Sequence, residues 1–129
     1  MSPSQVLFDQ LFIQSSEKLG YDTYDSLPRD NAPYPFVVIG SVHNLFVAHT
    51  NGVTGSCSID VHVFGDEESR AMVDDMLNSL MSVVAFSNDT YTFQSRLREN
   101  SSDIVSDTSV PNTKLWHGYG TLVFDWFKS

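Results

Sequence analysis

The chain is short of cysteine, of basic side chains and of long apolar runs, and each shortage excludes something. Cys57 is the only cysteine, so no disulfide forms within the chain and no cysteine cluster holds zinc. Seven basic residues stand against sixteen acidic ones, a formal charge of −9. That surface repels phosphate and anionic lipid, which argues against nucleic-acid or membrane binding as the main role and favours basic partners. No stretch approaches the ~18 consecutive apolar residues of a membrane-crossing helix. The opening Met1-Ser2-Pro3-Ser4-Gln5 has neither the basic start nor the apolar run of a secretion signal, so we expect a chain kept in a reducing cytoplasm.

Catalytic signatures are also missing. There is no Gly-x-Ser-x-Gly elbow and no Gly-rich phosphate loop. The four histidines, His43, His49, His62 and His117, show no i, i+4 pair. His43, His49 and His62 are able to converge across a hairpin, but ordinary strand or loop residues are the simpler account. Asp22, Asp25 and Asp30 fall in one polar segment and Asp103 and Asp107 in another, where solvation explains them as well as acid–base chemistry does. Cys57 shares a strand face with Ile59 and Val61, so we expect it buried and inert. The inventory predicts no enzyme, no metal and no cofactor.

What is present suits one globular domain over residues 1–129. Hydrophobic residues make up 41%, with nine Phe, five Tyr and two Trp, which is enough to build a core. Ser2-Pro3 with Gln5 reads as a helix start carrying a capping box. A helix over 3–19 then places Leu7, Phe8, Leu11, Phe12 and Leu19 on one face, and Gly20 ends it. Val6 and Ile13 lie off that face, either as scattered surface apolars or as a contact surface for a neighbouring subunit. Three prolines make 21–35 a loop. Phe36–Ile39 reads as a buried strand.

Asn51-Gly52 between two strand-like runs predicts a hairpin, with His49 and Val53 at its tip. In the second arm, Ser56–Phe64, alternation is clean; the first arm alternates poorly. The acidic run from Asp66 opens a helix over 67–85, with Met72, Val73, Met76, Leu77, Leu80, Val83 and Val84 as its apolar face. Tyr91–Arg98 and Leu115–Phe127 read as further strands, and Glu99 to Thr113 as a polar stretch holding Asp103 and Asp107, with Ile104-Val105 as a candidate short strand within it. The tip His49–Gly55 and the loop Asn100–Thr113 are expected to be poorly ordered in a free subunit and protected in an assembly. The predicted fold is α+β, with two helices packed on one face of a mainly antiparallel sheet.

The order of segments carries a resemblance. A Leu-Pro loop precedes Tyr34-Pro35-Phe36-Val37-Val38-Ile39-Gly40. Asn51-Gly52 follows, then Ile59-Asp60-Val61-His62-Val63-Phe64-Gly65, a helix, and Leu115-Trp116-His117-Gly118 leading to Leu122-Val123-Phe124. This set, spanning roughly residues 20–127, resembles the small tail-terminator (tail-completion) proteins of long, non-contractile-tailed phages and prophages of Gram-positive bacteria. The resemblance implies a ring, typically a hexamer, that caps the head-proximal end of the tail tube. It implies as partners further copies of itself, the major tail tube protein and the head–tail connector, and places the chain in the host cytoplasm during assembly and in the virion tail afterwards. It carries no catalytic residue. A ring needs two matching surfaces on one subunit. Arg96 and Arg98, on the polar face of the expected strand, are candidates to meet an acidic patch on the next subunit; a solvated strand face is the alternative. Another head–tail joining protein, or a small α+β ligand-binding or enzymatic domain, are the competing readings.

Overall fold

The computed structural model describes residues 1–28, 32–49 and 52–128. Helix α1 (Pro3–Ile13) starts as its sequence dictates. Ser2 Oγ accepts the Gln5 amide at 3.2 Å, and Pro3 occupies the first turn, where a missing amide costs nothing. The reciprocal half of the capping box does not form, because Gln5 Nε2 donates to Asp9 at 2.8 Å. Beyond Ile13 the chain widens into one π-helical segment, Gln14–Lys18, with Leu19 N reaching Gln14 O at 2.9 Å. There the Ser16 hydroxyl donates to Phe12 O at 2.7 Å and competes for a carbonyl of the normal ladder. Gly20, at φ 73°, closes the helix. The helix expected over 3–19 is therefore an α-helix followed by a wider turn.

The remaining elements are β1 (Thr23–Tyr24), β2 (Phe36–His49), β3 (Gly52–Gly65), α2 (Arg70–Met81), β4 (Ala85–Ser87), β5 (Tyr91–Ser95), β6 (Ser101–Asp107) and β7 (Leu115–Lys128). The strands form one sheet in the order β1-β2-β3-β7-β5-β4, with β6 also paired to β7. Among the described residues, β1 and β2 are the one parallel pair. The fold is α+β, as the alternation of periodicities predicts.

Strand β3 organises the two faces. Cys57, Ile59, Val61 and Val63 are fully buried, whereas Ser56, Ser58, Asp60, His62 and Phe64 point the other way and are only half-buried. The buried face meets Leu122, Phe124 and Trp126 of β7, and α1 contributes Val6, Leu7 and Leu11 to the same cluster while α2 contributes Val73, Met76, Leu77 and Leu80. Gly118 makes room for α2: a Cβ there would lie 3.0 Å from Val73 and 3.2 Å from Leu77.

Several expectations are revised. The strand expected at 36–39 and the first arm of the hairpin are one strand, β2, with a bulge between Ile39 and Val42. The extra residue reverses the parity: Val37 and Ile39 face the core before it, Val42 and Asn44 after it. This is why the first arm of the hairpin alternates poorly in sequence. Asn44, on the core side, accepts from Trp126 Nε1 at 3.1 Å and from Cys57 Sγ at 3.2 Å. Helix α2 begins at Arg70, not 67, because Asp66 caps a preceding turn through the Glu68 amide at 3.2 Å. It ends at Met81, so Val83 and Val84 lie beyond it, and Met72 is exposed on its outer side. The candidate short strand at Ile104-Val105 is the centre of a longer one, β6, paired along its length with β7.

These boundaries predict unequal costs along one helical pattern. Leu80→Ala, at a fully buried site, should destabilise the chain by about 2–5 kcal/mol. Val84→Ala, beyond the helix and 51% exposed, should change stability by less than about 0.5 kcal/mol. Urea denaturation of the two variants checks this.

Candidate functional site

The face of the sheet opposite the core carries an unusual concentration of rings. Phe36, Phe64 and His117 stand in register across β2, β3 and β7. Phe36 and Phe64 stack with centroids 5.3 Å apart, and Phe64 and His117 at 4.3 Å. Tyr34 stacks on Phe36 at 5.4 Å, Tyr24 meets it edge-on at 5.6 Å, and Tyr119 tilts against His117 at 5.5 Å. Cross-strand aromatic pairs of this kind stabilise a sheet beyond the area they bury. The polar residues of the outer face continue the row: Asp60 accepts from Thr121 Oγ1 at 2.8 Å.

Within the row His62 Nδ1 and His117 Nε2 are 2.8 Å apart. One ring donates and the other accepts, so the accepting ring is neutral when the bond is made. Burial lowers the pKa of His62, against the charge of Asp60. Burial lowers that of His117 too, with His62 adding to the effect and Asp107 opposing it. Their hydrogen bond is to each other, not to a hydroxyl or thiol of the described residues, so the pair is not arranged to activate a nucleophile of this chain. Among the described residues no group of three His, Cys, Asp or Glu side chains is placed to hold a metal ion.

Two grooves open over these rings. One, of about 600 Å³, runs between Leu27, Tyr34, Phe36, Phe64, Val110 and Leu115, with Asp107 at its rim. The other, of about 480 Å³, passes Leu27, Val38, Asp60, His62, Phe64 and His117, with Asp25 at its rim. They share Leu27 and Phe64, so the segment before β2 lies along the outer face as one wall of both.

The residues singled out from sequence are scattered. Val6 is 5% exposed and belongs to the core, so it is not a contact surface: the stripe that α1 buries includes Val6 with Leu7 and Leu11. Ile13 is exposed at the far end of α1. His49, Gly52 and Val53 enter the β2–β3 ladder by their backbones, His49 opposite Gly52 and Ala48 opposite Val53, so Gly52 is a strand residue. Asn51, and the side chains of His49 and Val53, lie outside the described residues.

Arg96 and Arg98 do not share a strand face, because β5 stops at Ser95 and 97–99 form a 3-10 turn. Arg96 is held within the chain, by Asp125 at 2.7 Å and Glu99 at 3.1 Å. Arg98 is exposed on the turn. Asp103 and Asp107 are strand residues of β6, opposite Tyr119 and Leu115. Asp103 accepts its neighbour's amide, Ile104 N, at 2.9 Å; Asp107 accepts Ser109 N at 2.8 Å, a bond that holds its carboxyl below the usual range.

The sequence reading missed the ring row. Alternation along Ser56–Phe64 sets His62 and Phe64 apart from the buried residues but does not link them to His117, which is 53 residues beyond Phe64 and meets it only through β3–β7 pairing. The available signal was Phe64 itself, a large apolar ring on the face that alternation assigns to solvent.

Two outcomes follow from the titrating groups. Unfolded, both imidazoles titrate near 6.5; folded, His62 and His117 stay neutral to lower pH. Below about 6.5 the unfolded chain therefore binds more protons, and stability falls as pH drops from there towards the folded-state pKa values. A His62→Phe/His117→Phe variant should lose less of its urea midpoint between about pH 7 and about pH 5 than the parent does. The Cys57 thiol is pushed up to about 11 by burial, against a hydrogen bond from Trp126. At about pH 8 it should react with a disulfide reagent about a hundredfold more slowly in the native chain than in urea.

Comparison of the chain with protein-family models gives no match, and comparison with the curated proteins gives none either.

Proposed function

We propose that this chain is a tail terminator of a long, non-contractile phage tail, a structural protein and not an enzyme. Copies form a ring, a hexamer on the tail, that caps the head-proximal end of the tube, stops addition of the major tail protein and offers the face to which the head connector docks. Assembly in the host cytoplasm and retention in the virion tail follow from that role.

The observation that carries this reading is that apolar side chains are exposed on more than one part of the subunit. Leu27, Tyr34, Val105 and Tyr119 are exposed on the outer side of the sheet, and Ile13 and Met72 on the helices. A ring closes through head-to-tail contacts, which require two different surfaces on each subunit. The resemblance adds weight, since the segments that carry it meet: Phe36, Phe64 and His117 are stacked neighbours, one from each segment. The charge of −9 suits docking against basic partners in a crowded assembly.

A neck adaptor is the nearest competitor, and tail length separates the two. A cap sets length, whereas an adaptor only joins parts already made. Deleting the gene should give overlong, headless tails beside filled heads, counted by negative-stain microscopy and restored by the gene in trans. Tails of normal length that lack heads would point to an adaptor, and normal, infectious particles would remove both readings. The groove beside His62 and His117 favours a further reading, a small ligand-binding domain. A small molecule retained through purification and seen by native mass spectrometry would support it.

A further inference from the structure

We propose that the outer-face groove of one copy receives the exposed Leu97–Arg98 turn of the next copy. This contact rests on the ring reading above and specifies the two surfaces that the ring would join. The groove has an apolar floor, Leu27, Tyr34, Phe36 and Phe64, and every described charged residue lining it and its neighbour is acidic: Asp25, Asp60 and Asp107. The cavity therefore fits an apolar side chain accompanied by a cation.

The chain itself presents that combination. Leu97 is 61% exposed on the turn after β5. Arg98 makes no ion pair or hydrogen bond among the described residues, in contrast to Arg96, whose guanidinium is occupied by Asp125 and Glu99. A large aliphatic side chain left in water beside an uncommitted guanidinium is a surface that gains from burial against a partner of opposite charge.

The two features do not reach one another within a subunit. Arg96 N bonds Val123 O, which fixes the start of the turn beside the middle of β7. The groove lies over Leu115 and His117, some six residues and about 20 Å back along that strand. Projection and cavity are thus different surfaces of one chain. Pairing them between copies gives a head-to-tail contact, the type that closes into a ring when the rotation allows.

The test is sedimentation velocity on the full chain over a concentration series, with melting curves to confirm that each variant folds. The parent should self-associate. Arg98→Glu should raise the dissociation constant roughly tenfold or more, since it sets like charges together. Leu97→Ser should weaken association without changing charge. Combining Arg98→Glu with Asp25→Lys, or with Asp107→Lys, should recover it. In parallel, a Leu27→Cys/Leu97→Cys chain should give a ladder of disulfide-linked multimers on oxidation, with Cys57 buried and silent.

Association that ignores Arg98→Glu, or that neither aspartate exchange recovers, overturns this contact and leaves the ring itself standing. A chain that neither self-associates nor cross-links through Leu97→Cys overturns it as well. So does a parent that stays monomeric while a short Leu-Arg peptide shifts the amide signals of the groove, which would give the groove a different occupant. Charge exchange that behaves as expected, together with normal tails from a deletion strain, would keep the contact and remove the terminator reading.

Discussion

The pairing of β3 with β7 is the constraint on which the rest of the structure depends. The ladder runs from Thr54 opposite Phe127 to Gly65 opposite Trp116 without a break. The far edge of β7 is divided between β5 and β6, and the far edge of β3 carries β2 and, through it, β1. One register thus sets both faces. On the inner side it aligns Cys57 with Phe124 and Ile59 with Leu122, in the core cluster to which both helices contribute. On the outer side it aligns Phe64 with His117 and Asp60 with Thr121. A slip of one residue would exchange the two sets and put serines, aspartates and histidines against the helices. The burial of Ile59, Val61 and Val63 is therefore also what places the ring row and the paired histidines.

The division of labour between the faces is physical. Trp126 and Cys57 are buried beside one polar partner, the Asn44 side chain, which accepts from both. The outer face is only half-buried, yet it is rich in rings and lined by carboxylates, and grooves lie along it. A solvated sheet face does not need such rings. A face meant to be covered by another chain uses them, since aromatic side chains bring large contact area at small entropic cost and concentrate binding energy. Under the proposed function, that logic assigns the outer face to assembly and the acidic surface to partner choice.

Much of the fold was legible in the residues, for identifiable reasons. Ser2-Pro3 and Gly20 act locally, through one hydroxyl, one missing amide and one positive φ, so the limits of the first helical region could be read directly. The clean alternation of β3 reflects a strand buried on one face only. Strand β2 was obscured because its bulge reverses parity in mid-strand, and a period-2 search breaks where the period does. The end of α2 was misjudged because Val83 and Val84 continue the apolar spacing after Ser82 has taken the last turn out of register. Strand β6 has mostly exposed, polar side chains and owes its length to pairing with β7, so only its apolar centre, Ile104-Val105, was legible in sequence. The site was less legible for the same reason. Val6 sits in the core because the stripe that α1 buries extends past Leu7 and Leu11 to include it, Arg96 is committed to Asp125 on β7, and His62 meets His117 only across two strands.

The central claim, that this chain ends the growth of a tube by capping it, is tested most directly by reconstitution. Purified major tail protein would be polymerised on purified tail tips, with and without this chain, and tube lengths followed by electron microscopy over time. A terminator should halt elongation and appear as one ring at the end of each tube. Tubes that lengthen at the same rate with the chain present, and carry none of it at their ends, would contradict the account.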